Sequence, residues 1–174
     1  MITSIPTVRP SFFERFPRQI LGLIALVCVG MLAFGLYLQH VVGLEPCPMC
    51  IVQRYALIAV ALVAGVSAFL RSRTALWSGV GVMAGFAVFG AGVAARQSWL
   101  QWYPPEIMSC GRDFFGMIES FPLRRAIPMI FRGSGDCSVI DWTFLGLSIA
   151  NWSFLSFGAI ALVAGALWIK RAPA

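Results

Sequence analysis

Residues 20–38 read ILGLIALVCVGMLAFGLYL, nineteen positions without a charge. A helix crosses the hydrocarbon core of a bilayer in about 20 residues, at about 1.5 Å each. Lipid offers no partner for backbone N–H and C=O groups, so a stretch of this kind has to be helical. Three more follow. Residues 51–70 are interrupted only by Arg54, residues 74–95 are uncharged, and residues 142–169 form a run longer than one crossing needs. The last span is therefore placed at about 151–169, with the residues ahead of it at the interface. The apolar run of the first stretch exceeds the ~7–15 residues of a signal-peptide core. No small-x-small cleavage site follows it, so it is read as an uncleaved anchor. The expectation is an all-α membrane protein: a single integral-membrane domain over residues 1–174, with spans at about 20–38, 51–70, 74–95 and 151–169.

Composition supports this reading. Hydrophobic residues make up 59% of the chain and charged residues 11%, against about 25% charged in a soluble domain. The net charge of +6 is not spread evenly. Arg9, Arg15 and Arg18 precede the first span, Arg71 and Arg73 separate the second and third, and Lys170 and Arg171 follow the fourth; Glu14 is the one acid on that side. The other side carries six arginines balanced by six acids. Basic residues mark the cytoplasmic face of short loops, so both termini are expected in the cytoplasm. The same asymmetry accounts for the basic balance without a nucleic-acid partner. Two loops, about 39–50 and 96–150, then face outward, into the periplasm if this is a bacterial inner membrane.

Those loops hold four of the five cysteines. Cys28 lies within the first span and reads as a small apolar packing residue. Cys47-Pro48-Met49-Cys50 stands where the second span begins. Cysteines three apart at the first turn of a helix are close enough for a disulfide. Pro46 and Pro48 stiffen the entry. The free N–H groups at a helix start favour a thiolate on Cys50, the form that attacks disulfides. Arg54 lies one turn further on the same face, and an Arg just inside a span needs a partner. That partner is a Cys50 thiolate or an electron acceptor's oxygen, unless the side chain snorkels to the headgroups. Cys110 and Cys137 are separated by an aromatic-rich stretch with Pro122 and Pro128, which reads as a mobile loop carrying a short amphipathic helix on the membrane surface. Trp99, Trp102 and Tyr103 read as an interfacial aromatic belt.

Four cysteines also suit zinc, but structural zinc sites use two close pairs, and an oxidising face competes for thiolates; no metal is expected. Purely structural disulfides in a non-enzymatic four-span scaffold are the stronger alternative. Such scaffolds, like the tetraspanins, keep their cysteines in the large loop and have no use for C-x-x-C at a helix start.

Taken together, the motifs resemble the disulfide bond formation protein B (DsbB) family. The resemblance rests on Leu38 to Val41, on Glu45-Pro46-Cys47-Pro48-Met49-Cys50 with Arg54, and on Trp102-Tyr103-Pro104 ahead of Cys110. It continues through Gly133-Ser134-Gly135-Asp136-Cys137 and Trp142-Thr143-Phe144-Leu145-Gly146-Leu147. It implies a relay in which a periplasmic thioredoxin-like oxidase, DsbA, is reoxidised through Cys110/Cys137 and then Cys47/Cys50. The electrons would go to ubiquinone or menaquinone. The order of loops separates this family from the vitamin K epoxide reductases. Where some members carry a His near the quinone, this chain has Gln97, which can donate a hydrogen bond but cannot take a proton charge. Arg54 and Gln97 are the implied quinone contacts; Gln53 is assigned no role.

Overall fold

The computed structural model describes residues 12–104, 137–138 and 140–169. Four helices make up most of it: α1 (Phe12–His40), α2 (Pro48–Phe69), α3 (Arg73–Trp102) and α4 (Ile149–Ile169). All four are long and apolar enough to cross a membrane, so the expected all-α, four-span architecture is the one observed. The chain is a multi-pass membrane protein.

Two stretches differ from the sequence reading. Residues 96–102, assigned to the outer loop, continue α3. Polar side chains there do not force the chain out of the helix, because Gln97 and Gln101 find partners on other elements. The helix stops at Trp102, where the Tyr103 N–H returns to Trp99 O at 2.9 Å and Pro104 disfavours helical backbone in the residue before it. Within the same expected loop, Thr143–Phe144 (β1) pairs antiparallel with Leu147–Ser148 (β2). Leu145 and Gly146 form the turn with φ of 52° and 77°, the pairing of positive φ values that matches the twist of a tight hairpin. The amphipathic helix expected between Cys110 and Cys137 lies outside the described residues.

On the opposite side, α2 and α3 meet in a short connection. Ser72 caps α3, its Oγ accepting from Ala75 N at 3.4 Å, and Arg18 of α1 donates to Arg71 O at 2.9 Å. The helices pack in sequence, α1 on α2, α2 on α3 and α3 on α4. Among the described residues no comparable packing joins α1 to α4, so the four form an open arc. Their inner faces share one core that includes Leu21, Cys28, Val60, Met83, Ala87 and Phe157. Small residues let the helices approach: a Cβ on Gly90 would lie 2.6 Å from the Phe157 ring. Large apolar side chains such as Leu26, Leu62, Phe69 and Leu162 point outward and exposed, the surface that lipid covers.

Candidate active site

Cys47 is the N-cap of α2. Its backbone is extended, with φ −65° and ψ 160°, and its Sγ accepts the Cys50 N–H at 3.2 Å. Pro48 follows at the helix start, where its missing N–H costs nothing. Cys50 is thus the third residue of the helix and faces Cys47 across one turn. Cys28, Cys47 and Cys50 are free thiols.

Cys137 joins this pair. It is fully buried and packs with Cys47, Met49, Val93 and Leu100 in a small cluster at the start of α2 and the end of α3. Cys137 and Cys50 pack beside the Cys47 thiol in this cluster. These contacts, Cys137's first and Cys50's next, together with burial, push the Cys47 thiol up from its ordinary range. Three of the four cysteines singled out in the sequence therefore meet at one point. Cys110 lies outside the described residues. Cys28 sits in the main core, apart from them.

Two glutamines complete the cluster. Gln97 of α3 is buried, and its Nε2 donates to Cys47 Sγ and to Cys50 Sγ, at 3.2 Å each. Its Oε1 accepts from Gln53 Nε2 at 2.6 Å, and Cys50 Sγ makes a longer contact of 3.8 Å to the same oxygen. The sequence reading left Gln53 without a role. The signal was present: Gln53 lies three residues after Cys50, on the same helical face, and an uncharged polar side chain in an apolar span must find a partner.

Arg54 reaches toward α1. It is half-buried, and its guanidinium donates to Gly35 O at 3.1 Å and to Gln39 Oε1, both on α1. Its partners are thus an α1 carbonyl and side chain, and Gln39 is a second residue the sequence reading passed over.

Cys50, Gln53, Arg54 and Gln97 all line one cavity of about 860 Å³ in the gap between α1 and α4. Apolar side chains, among them Val27, Met31, Leu57 and Phe157, form most of its wall. Aromatic rings bridge the gap: Phe34 meets Trp142 edge-on at 5.8 Å, Trp142 stacks on Phe144 at 6.1 Å, and Phe144 lies 6.1 Å from Trp152. Trp99 and Tyr103 lie outside the cluster, exposed and 4.8 Å apart, as suits an interfacial belt.

The sequence that builds this site matches a known group of proteins. Residues 17–167 fit the family model described as Disulfide bond formation protein DsbB. The chain belongs to the DsbB family. It is 71% identical to the Disulfide bond formation protein B of Polaromonas sp. (strain JS666 / ATCC BAA-500), over 92% of this chain and 95% of that one. It is 62% identical to the protein of the same name from Albidiferax ferrireducens, over 92% of each chain. For the relative from Verminephrobacter eiseniae the identity is 60%, over 94% of this chain and 97% of that one. DsbB proteins are disulfide oxidoreductases, so the scaffold reading is set aside.

Proposed function

We propose that this chain is a quinone-dependent thiol oxidoreductase that reoxidises a DsbA-like dithiol oxidase. It does so from the bacterial inner membrane, with residues 39–50 and the Cys110/Cys137 loop in the periplasm. The observation that carries the proposal is the seating of Cys137 against Cys47, whose partner Cys50 lines the cavity.

The cavity fits a quinone on its own features. Its wall is mostly apolar, as a ring and isoprenoid chain require, and it is bounded by α1 and α4, the unpaired ends of the arc. Arg54 offers a cation there with five N–H donors, two of which are engaged. Arg54 would hold a ring oxygen, and Gln97 is the second candidate contact. A quinone, ubiquinone or menaquinone, supplies an acceptor for two electrons and two protons.

The chain's own residues do the rest by thiol–disulfide exchange, each step an attack of a thiolate on a disulfide. The reduced partner's thiolate attacks Cys110 in the Cys110–Cys137 disulfide and releases Cys137. Cys137 attacks Cys47 in the Cys47–Cys50 disulfide, forming Cys47–Cys137 and releasing Cys50. The partner's second thiol then displaces Cys110, and the partner leaves oxidised. Cys110 attacks Cys137, restoring the Cys110–Cys137 bond and leaving Cys47 and Cys50 reduced. That pair closes again as it gives up two electrons and two protons. The direct test is turnover: purified protein with quinone oxidises a reduced DsbA-like partner, and Cys50→Ser stops it. Equal rates in that variant would remove Cys50 from the route.

A further inference from the structure

We infer that Gln97 is a catalytic residue of the thiol chemistry, a single amide donor shared by both sulfurs of the Cys47/Cys50 pair. Gln53 is the positioning residue that fixes which end of that amide faces sulfur. The inference rests on the reading of Cys47 and Cys50 as the redox pair.

A primary amide has a donor end and an acceptor end of nearly the same shape. Turned one way it stabilises a thiolate; turned the other way it repels one. Gln53 decides between them. It is buried, and its Nε2 donates to Gln97 Oε1 at 2.6 Å, which occupies the acceptor end. The NH₂ group is left facing the sulfurs, at 3.2 Å from each. The equal distances matter because disulfide exchange moves charge from one sulfur to the other. A donor placed between them serves whichever sulfur carries the charge, without a change of rotamer. The longer contact from Cys50 Sγ to Gln97 Oε1, 3.8 Å, gives the thiol proton an acceptor when Cys50 is protonated. The amide is also neutral at every working pH, so its donation does not switch off as pH rises. A neutral donor avoids the cost of burying an isolated charge beside an apolar cavity.

The test uses the reduced full-length protein in detergent, without quinone or partner. Iodoacetamide labelling of Cys50 is followed by mass spectrometry across a pH series. Gln97→Leu is expected to raise the pH midpoint of labelling by about one unit, which slows labelling about tenfold below the midpoint. Gln53→Leu is expected to raise it by less, and the double variant no further than Gln97→Leu alone, because Gln53 acts through Gln97. Gln53→Glu keeps the shape but, ionised, can only accept; it is expected to turn the amide round and raise the midpoint. Most of that rise should vanish in a Gln97→Leu background. An unchanged midpoint in Gln97→Leu, or fully additive shifts in the double variant, would overturn the inference. If the leucine variants fail to insert, an unchanged midpoint in Gln53→Glu does so. These outcomes leave the electron route untouched, whereas lost partner turnover with normal labelling in the wild type would sink the route and spare the amide.

Discussion

Arg54 Nη2 donates to the backbone carbonyl of Gly35 at 3.1 Å, fastening α2 to the C-terminal part of α1 beside the cavity. The contact is made one helical turn from Cys50, with the guanidinium lining the same space. A charge held this way is fixed in position by α1 and keeps spare donors for a bound oxygen. Arg54→Met is therefore expected to raise the apparent KM for quinone about tenfold, the order expected for a hydrogen bond to a charged group. Arg54→Lys should recover little, because an ammonium lacks the planar fork that reaches two α1 acceptors at once. Steady-state kinetics over a quinone series measures this, and unchanged kinetics would reduce Arg54 to an anchor between helices.

The cysteine pairs should separate cleanly. A Cys110→Ser, Cys137→Ser double variant is expected to lose turnover of the protein partner. It should retain quinone-dependent reoxidation of Cys47 and Cys50 after chemical reduction. Retained partner turnover in that variant would reverse the proposed order of the relay.

The contact between Cys47 and Cys137 has a consequence for pH. Because Cys137, then Cys50, then burial raise the Cys47 thiol, the protonated form of Cys47 is favoured in the reduced protein. Deprotonating it takes a higher pH than the ~8.5 of a free cysteine. The labelling midpoint of Cys47 is expected above that value, and Cys137→Ala should lower it. A midpoint for Cys47 at or below the free value would contradict the packing described.

Gly90 sets the spacing of α3 and α4 next to the cavity. A methyl group there would lie 2.6 Å from the Phe157 ring, and Phe157 is part of the cavity wall. Gly90→Ala is expected to destabilise the bundle by about 1–3 kcal/mol, the usual range for overpacking. It should also weaken quinone binding. Thermal unfolding in detergent and a quinone titration check the two effects, and a variant unchanged in both would show that α4 moves aside freely.

What the sequence made readable follows from the kind of signal each residue carries. Uncharged length revealed the four spans, since lipid leaves the backbone no choice but helix. C-x-x-C with Pro48 located the start of α2, because capping and proline chemistry are local. The end of α3 was not readable in the same way. Arg96, Gln97 and Gln101 look like the start of a loop by polarity, whereas Gln97 and Gln101 find partners on other elements and the helix continues through them. The direction of Arg54 was hidden for a related reason: spacing puts it on the Cys50 face, while its acceptors, Gly35 O and Gln39 Oε1, come from another helix. Gln53 was passed over because a neutral side chain in a span carries no charge signal. Its importance appears only with Gln97 beside it.

The most direct measurement is disulfide mapping after mixing the oxidised protein with a reduced DsbA-like partner whose second active-site cysteine is serine. The partner is then trapped on its first target. The relay predicts the partner joined to Cys110, Cys137 joined to Cys47, and Cys50 free. A partner joined directly to Cys47 or Cys50, or joined to Cys110 while the Cys47–Cys50 bond stays intact, would contradict it.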